Sequence, residues 1–384
     1  MTTSSRTPAQ LAAVVIGGGL VGWATAYALA KRSVPALVID AGDVGAATMA
    51  GAGMITPGTN LNPAAGYLPL AVAAMRHYPG LIAELADANC GETGYARVGA
   101  IYVARDESEV AGLDLVERTL IERRDAGMAS IGEVERIDGD HARRLFPPLT
   151  PAVPEAVWFS DGARVNGRLI RSAVRTAAMQ LGCRELLGRA SIARTGNRLT
   201  VTGPLGDKYD SDVVVISGGA WTPTLGAQID ISLPIEPQRG QILHLGWHDD
   251  TTAEWPLLES ASSHYMLGFP EKHVVSGATR EIGVGYDARI TPRGLHEVLT
   301  EALAIAPGVG RCQILEMRVG LRPLSPDGIP AIGRLADLEN GWICSGHGPS
   351  GLTLGPWSGD LLAQLVTSEQ PEIDPKPYSP NRWM

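Results

Sequence analysis

The sequence predicts an α/β fold, in which a parallel sheet with helices on its faces is interleaved with an α+β region that has a mostly antiparallel sheet. Three observations support this prediction. Near the N-terminus an apolar strand, a glycine cluster and a helix follow one another, which is the pattern of a βα unit. A later strand-like run, residues 212–216, is apolar after Asp212 and also leads into glycines. From residue 233 to about residue 307 the pattern changes to short alternating strands.

The glycine cluster fits a dinucleotide-binding turn of the Rossmann type. Residues 13–16 are apolar and run into Gly17, Gly19 and Gly22, which satisfy G-x-G-x-x-G, and residues 23–30 contain no Gly or Pro. In such a turn the first glycine allows a sharp bend, the second lets the backbone approach a pyrophosphate, and the third packs helix on strand. The phosphates then lie at a helix N-terminus, where free N–H groups favour anions.

The next strand ends in the acid that such a site requires. Residues 36–39 are apolar and lead into Asp40, 18 residues after Gly22, where a carboxylate is expected to bind a ribose hydroxyl. Residues 41–54 are then mostly small, which would let the backbone press against a large flat ligand. A flexible loop is the alternative interpretation of this run.

The later elements are predicted from hydrophobic period and from flanking Gly and Pro. The strand at residues 212–216 stops at Gly218, which allows a close approach to a ligand at the carboxyl end of a parallel sheet. Residues 320–333 indicate a rigid loop around Arg322, since they include three prolines and three glycines. Helices are predicted over residues 67–89 with a break near Pro79, 108–126, 167–181, 294–306 and 352–366, and strands over residues 96–103, 191–194, 199–201, 241–245, 265–267, 273–276 and 342–345.

Composition excludes several classes of function. A chain of 384 residues is long enough for two domains, and a net charge of −9 argues against a nucleic-acid surface. The four cysteines lack metal-type spacing, which favours a reducing compartment, and we expect a cytoplasmic protein. His244 and His248 form H-x3-H, but no carboxylate lies between them and no third ligand follows, so no metal site is predicted.

An uncharged stretch near the N-terminus has to be weighed as a membrane span. Residues 11–30 carry no charge, which would satisfy a crude hydropathy filter, and their end resembles a signal-peptidase site. Three consecutive glycines at the centre suit a turn and weaken a spanning helix. We therefore predict neither a transmembrane span nor a targeting segment.

Taken together, these motifs resemble the D-amino-acid oxidase family of FAD-dependent oxidoreductases, over nearly the whole chain from Val14 to about Trp383. The resemblance is greatest to the glycine oxidase and D-amino-acid dehydrogenase members. The motifs that carry it are, in order, Ala52-Gly53-Met54, Arg239-Gly240-Gln241, Gly277-Ala278-Thr279, Gly320-Leu321-Arg322-Pro323 and Gly346-His347.

The resemblance implies a noncovalent FAD. Gly320 stands where sarcosine oxidases carry the cysteine that links the flavin, so covalent attachment is not expected. His347 is expected to hold the backbone of a strand-to-helix turn, with a base role as the alternative. Besides the fingerprint glycines, Asp40 and Gly218, the implied FAD contacts are Leu20, Val21, Ala41, Thr48, Ala52, Gly53, Met54, Ala190, His347, Gly348, Ser350, Gly351, Leu352 and Thr353.

The resemblance also implies a substrate site. Arg322 is expected to bind a substrate carboxylate and Tyr265 to line the substrate face. Arg280 is a departure from the family, in which a neutral residue can stand at this position, and it is expected to offer a second anion contact. The alternatives are that Arg322 pairs with Asp327 and that Arg280 pairs with Glu281 or another surface acid. Glycine oxidase has a second arginine in its last glycine-rich loop, where this chain has Pro349, a departure that argues against strict glycine specificity.

The resulting expectation is an enzyme that oxidises the C–N bond of a small carboxylate-bearing amine through an imine, with hydride transfer to flavin N5. Oxygen or a quinone is the expected electron acceptor. The sequence is compatible with a homo-oligomer but does not determine the oligomeric state. The rival hypotheses are a nicotinamide-dependent dehydrogenase and a non-catalytic flavin-binding subunit. Residues 1–95, 151–225 and 311–384 are predicted to form the FAD-binding domain, and residues 96–150 and 226–310 the substrate-binding domain.

Overall fold

The fold is described from a computed structural model for residues 9–383; residues 1–8 and 384 of the predicted FAD-binding domain lie outside the described residues. No helix within residues 9–383 is long and apolar enough to cross a membrane. The helices are α1 (Leu20–Lys31), α2 (Ala47–Ala50), α3 (Tyr67–Asp87), α4 (Val110–Asp125), α5 (Gly139–Leu145), α6 (Gly167–Gln180), α7 (Thr222–Gly226), α8 (Pro292–Ile305) and α9 (Gly351–Val366).

The strands fall into three sheets. They are β1 (Ala9–Ile16), β2 (Ala36–Asp40), β3 (Met54–Ile55), β4 (Ala96–Arg97), β5 (Ala100–Val103), β6 (Val134–Asp138), β7 (Glu155–Phe159), β8 (Ala163–Arg164), β9 (Arg184–Leu187), β10 (Ser191–Thr195), β11 (Arg198–Thr202), β12 (Lys208–Ile216), β13 (Glu236–Gly246), β14 (Leu257–Ser260), β15 (Tyr265–Phe269), β16 (His273–Gly277), β17 (Gln313–Leu324), β18 (Ala331–Arg334) and β19 (Gly341–Ser345).

The first sheet has a parallel centre, as predicted. Strand β1 pairs in parallel with β2 and β12, and β12 also pairs in parallel with β19. Alternate residues of β1 enter two different cores: Val15 packs with the residues of α1 and α9, whereas Val14 packs with those of β11 and β12. Both faces of this strand are therefore buried, which explains its continuous apolar sequence.

The second sheet has the order β17-β13-β16-β15-β14-β5-β7-β6 and is mostly antiparallel, with one parallel pair between β14 and β5. It also contains β7 and β17, whose residues fall in the ranges predicted for the FAD-binding domain. The domain bounds stay a prediction. The mixed α/β architecture with a parallel and a mostly antiparallel sheet is the predicted fold class.

Two predicted elements near residue 100 are wrong in detail. Helix α3 continues through Pro79 without a break, because Tyr78 and Leu81 on either side are buried in the core and hold the helix there. The strand predicted over residues 96–103 is split into β4 and β5, which lie in different sheets. Gly99, with φ of +75°, makes the turn between them.

The loop predicted over residues 320–333 is wrong at Arg322, because residues 313–324 form strand β17, and only residues 325–330 lie between that strand and β18. This strand pairs with β13 along its length and lies at the edge of the second sheet. Pro323 is tolerated there, since an edge strand does not need every backbone N–H for its ladder. Arg322 is therefore held by a strand rather than by a loop.

Candidate active site

A cavity of about 570 Å³ lies between the carboxyl ends of the parallel strands and one face of the second sheet. Gly17, Asp40 and Ser217, at or just after the ends of β1, β2 and β12, line one side of it. Tyr265 and Arg322, on β15 and β17, line the other. Its volume is typical of a ligand pocket, and carboxyl strand ends are where open α/β sheets bind ligands.

The glycine turn has the geometry that its sequence predicts. Gly17 has φ of +110°, and a Cβ there would overlap the carbonyl of Ser217. A Cβ at Gly22 would overlap the Gly17 carbonyl, so this glycine lets α1 pack on the turn. Gly19 precedes α1, whose first N–H, that of Leu20, donates to Thr48 Oγ1 over 3.1 Å. Gly19 offers no side-chain cap, which leaves first-turn N–H groups for an anion.

Asp40 is at the end of β2, as predicted, and it has a partner that sequence reasoning missed. Arg171 on α6 donates from Nη2 to Asp40 Oδ2 over 3.1 Å and from Nε to the carbonyl of Gly18. The arginine thus ties the acid to the glycine turn. The signal in the sequence, one arginine on an amphipathic helix, does not distinguish this residue from surface charge.

The cavity fits FAD by its shape and by its unpaired polar groups. Except for Gly22, which packs α1 on the turn, all residues predicted to contact FAD line it. The N-terminus of α9 reaches the wall without a side-chain cap, and Nε2 of the buried His347 has no hydrogen-bond partner. Cys344 is the one cysteine among the described residues that line the cavity, and burial raises the pKa of its thiol to about 12, so the thiol stays protonated at neutral pH. The individual contacts with FAD stay a prediction.

The substrate face is one row of residues across the second sheet. Glu259 on β14 is paired with Tyr102 on β5 and with Tyr265 on β15, and Tyr265 is paired with Gly277 on β16. Directly paired residues point to the same face, so these side chains share the cavity wall. A Cβ at Gly277 would come within 2.9 Å of the Tyr265 hydroxyl, which shows that the tyrosine ring folds over this glycine.

Arg322 is half-buried at the end of this face. Its Nη1 donates to Gln238 Oε1 over 3.1 Å and to the carbonyl of Thr279 over 3.0 Å. A Cβ at Gly240 would lie 2.5 Å from Arg322 Nη2, so this glycine gives the guanidinium its space. Burial raises the pKa of Tyr265, an effect that the nearby Arg322 opposes.

The acids that were alternative partners of the two arginines are engaged elsewhere. Asp327 Oδ2 accepts from Arg382 over 2.6 Å, so the pairing of Arg322 with Asp327 is wrong. Glu281 Oε2 accepts from Arg239 over 2.6 Å, so the pairing of Arg280 with Glu281 is also wrong. Arg322 and Arg280 form no ion pair with any acid in the described part of the chain.

Two histidines in the cavity wall are neutral at neutral pH. Burial lowers the pKa of His347 to about 3, and burial together with the charge of Arg280 lowers the pKa of His264 to about 4. His264 Nε2 lies 2.9 Å from Ser276 Oγ. Neither ring brings a positive charge to the cavity at neutral pH.

Glu259 is a cavity residue that sequence reasoning missed. Its Oε2 accepts from Thr59 Oγ1 over 2.7 Å, whereas its buried Oε1 has no partner, and burial raises the pKa of the carboxyl to about 7. The signal was a single charged residue after the apolar pair Leu257-Leu258. A charge at the end of a buried strand has to be satisfied or to face a site.

We expect Glu259→Gln to reduce the pH dependence of stability. Burial raises the carboxyl pKa from 4.5 to about 7, so the folded chain prefers the protonated form. The contribution of this group to the free energy of unfolding therefore falls as pH rises from about 4.5 to about 7, by on the order of 2–3 kcal/mol. Urea unfolding at about pH 5 and about pH 8 measures it. An unchanged difference between the two pH values in the variant would contradict this assignment.

The chain matches known proteins over nearly its full length. The model of a protein family described as "DAO: FAD dependent oxidoreductase" matches residues 12–365. The glycine oxidase of Pseudomonas putida is 31% identical over 96% of this chain and 97% of the relative. An uncharacterised oxidoreductase of Bacillus subtilis is 36% identical over 96% of this chain and 98% of the relative.

Solved structures show the same fold. The iminodiacetate oxidase of Chelativorans sp. BNC1 superimposes with a TM-score of 0.92 at 37% identity, covering 96% of this chain and 98% of that one. The glycine oxidase of Geobacillus kaustophilus superimposes with a TM-score of 0.86 at 23% identity, covering 96% and 98%. These matches confirm the predicted family, fold class and FAD dependence. The rival hypothesis of a nicotinamide-dependent dehydrogenase is therefore wrong.

Proposed function

The chain belongs to the DAO family of FAD-dependent oxidoreductases, and we propose that it oxidises the C–N bond of a small amine that carries a carboxylate next to the reacting carbon. Arg322 is the observation that carries this proposal. Its guanidinium is half-buried in the cavity wall beside Tyr265 and has no carboxylate partner among residues 12–383. An arginine stays charged at neutral pH and presents a planar fork that matches a carboxylate.

The residues of the cavity wall position the substrate rather than transform it. When bound, FAD supplies a two-electron acceptor at N5. Arg322 holds the carboxylate, which fixes the adjacent carbon, and the row from Tyr102 to Tyr265 walls the substrate from solvent. His264 and His347 stay neutral at neutral pH, so neither competes with Arg322 for the substrate carboxylate.

The relatives name two kinds of substrate. Glycine carries one carboxylate on a primary amine, and iminodiacetate carries two on a secondary amine. The proposed substrate class includes both, because each has a carboxylate one carbon from the amine nitrogen. Pro349 lies in the glycine-rich turn before α9 and brings no second cation to that side of the cavity.

Anaerobic bleaching of the bound flavin across D- and L-amino acids and N-substituted glycines tests the proposal. We expect bleaching by at least one carboxylate-bearing amine and none by the matching amine without the carboxylate. Bleaching by the carboxylate-free amine alone would contradict the proposal. No bleaching by any amine would favour the non-catalytic flavin-binding subunit.

We expect Tyr265→Phe to weaken substrate binding without abolishing turnover. Burial raises the pKa of this phenol above its usual value, so it holds its proton at neutral pH and accepts none. The loss of one hydrogen bond predicts an increase in KM of roughly 2- to 12-fold. Steady-state kinetics with Tyr209→Phe, outside the cavity, as the control measures it. A fall in kcat of several orders of magnitude at full FAD content would instead make Tyr265 a catalytic residue.

A further inference from the structure

We propose that the cavity binds a second carboxylate at Arg280, so that the preferred substrate is an amine with two carboxylate arms. This inference rests on the proposed function, in which Arg322 holds the carboxylate next to the reacting carbon. It adds the substrate class and names the residue that selects it.

Arg280 and Arg322 are tethered to neighbouring carbonyls of one segment. Arg322 Nη1 donates to the carbonyl of Thr279 over 3.0 Å, and Arg280 Nη1 donates to that of Ala278 over 3.4 Å. Arg280 Nη2 also donates to the carbonyl of Ser263 over 3.1 Å, which turns its side chain toward the cavity that it lines. The segment therefore holds two guanidinium groups at the same end of the cavity.

No acid of the described chain neutralises this pair. Glu281, next to Arg280 in sequence, is turned to Arg239, and its Oε1 accepts from Gln241 over 2.8 Å and from Thr279 Oγ1 over 2.9 Å. Burial lowers the pKa of Arg322, and the positive charge of Arg280 lowers it further. Two like charges at one end of a cavity repel each other, and a ligand with two carboxylates removes that repulsion while it pairs with both.

The two cations differ in exposure, which predicts different roles. Arg322 is half-buried, whereas Arg280 is exposed at the cavity mouth. A charge pair at Arg280 is therefore screened by salt more than one at Arg322. We expect Arg322 to fix the reacting carbon in every substrate and Arg280 to discriminate between substrates with one and two carboxylates.

The test compares iminodiacetate with its monoamide, in which one carboxylate becomes a carboxamide of similar shape. In the wild-type holoenzyme we expect kcat/KM for iminodiacetate to exceed that for the monoamide on the order of 10- to 100-fold. Arg280→Gln should lower this ratio toward one, and Arg280→Lys should retain part of it. Added salt should also lower the ratio in the wild-type enzyme.

A binding measurement separates recognition from turnover. Glutarate has the shape of iminodiacetate with a methylene in place of the amine, so it binds without reacting, and butyrate lacks its second carboxylate. We expect glutarate to perturb the flavin absorption of the wild-type holoenzyme at lower concentrations than butyrate does, and Arg280→Gln to remove the difference. Arg293→Gln, on α8 outside the cavity, is the control for loss of an exposed guanidinium and should retain both preferences.

The outcomes distinguish this inference from the proposed function. If kcat/KM of the wild-type enzyme for glycine or for the monoamide equals that for iminodiacetate, the second carboxylate site is overturned and the proposed function stands. If Arg280→Gln keeps the full preference for two carboxylates, Arg280 is not the selecting residue. If no carboxylate-bearing amine bleaches the flavin, the proposed function falls together with the inference.

Discussion

Replacement of Arg322 by alanine is expected to lower kcat/KM for a carboxylate-bearing amine by roughly 30- to 4,000-fold, with FAD content and fold retained. The estimate corresponds to the loss of a largely desolvated charge pair, about 2–5 kcal/mol. The fold should persist, because within residues 12–383 the guanidinium donates only to Gln238 and Thr279, besides its contact with Tyr265, and anchors no acid. Arg322→Lys should recover only part of the loss, since a point charge does not reproduce the fork.

The decisive measurement is the ratio of two substrates in wild type and variant. An amine without the carboxylate should lose far less than the amino acid when Arg322 is removed. Arg318→Ala is a matched control, because it removes an arginine of the same strand whose Nε donates to Glu316 over 2.7 Å, outside the cavity. Equal losses for both substrates, or a variant that does not fold, would make Arg322 structural and turn the search for the carboxylate site to Arg280.

The phosphate side of the site could be predicted because its residues are close in sequence and each has a local reason. Gly17 is required by a positive φ, Gly22 by the approach of α1 to the turn, and Asp40 by the end of the next strand. These signals all lie in one short stretch of the sequence, although the carbonyl that excludes a Cβ at Gly17 belongs to the distant Ser217. The partner of Asp40, Arg171, comes from helix α6 and was missed.

The substrate side of the site could be predicted only in part, because its residues become neighbours through the pairing of strands that are distant in sequence. Tyr102, Glu259 and Tyr265 become neighbours through β5, β14 and β15, and no spacing in the sequence reveals that register. The resemblance supplied Tyr265 and Arg322, but it did not supply Glu259. A shift of one residue in the register of any one of these strands would turn its member of the row away from the cavity.

Ion pairing was equally hidden from the sequence. Asp327 is five residues from Arg322 but pairs with Arg382, which reaches it from the C-terminal segment. Residues three or four apart are neighbours on a helix, and residues two apart share a face of a strand, as the pair Arg318–Glu316 on β17 shows, but a separation of five residues fits neither pattern. Asp327 lies beyond the end of β17 at Leu324, so the strand does not place its carboxylate beside Arg322.

Replacement of Gly19 by leucine is expected to weaken FAD binding on the order of 100-fold while the chain still folds. The backbone accepts a side chain there, since φ is −67° and a Cβ would lie 3.4 Å from Thr48 Oγ1, an ordinary contact. Gly19 lines the cavity at the start of α1, so the leucine side chain would occupy the space predicted for the pyrophosphate. Overpacking typically costs about 1–3 kcal/mol, and the upper end of that range gives the 100-fold estimate.

The amount of FAD released per chain by acid precipitation measures the Gly19→Leu effect, and FAD in the supernatant also tests the noncovalent link. Gly80→Leu is the matched control, because Gly80 is exposed on α3 and a Cβ there meets nothing within 4 Å. Gly17 and Gly22 do not serve as test positions, since a side chain at either would overlap backbone and disturb the turn itself. Full FAD occupancy in Gly19→Leu would place the pyrophosphate away from α1, and colour that stays with the precipitated wild-type chain would show a covalent flavin.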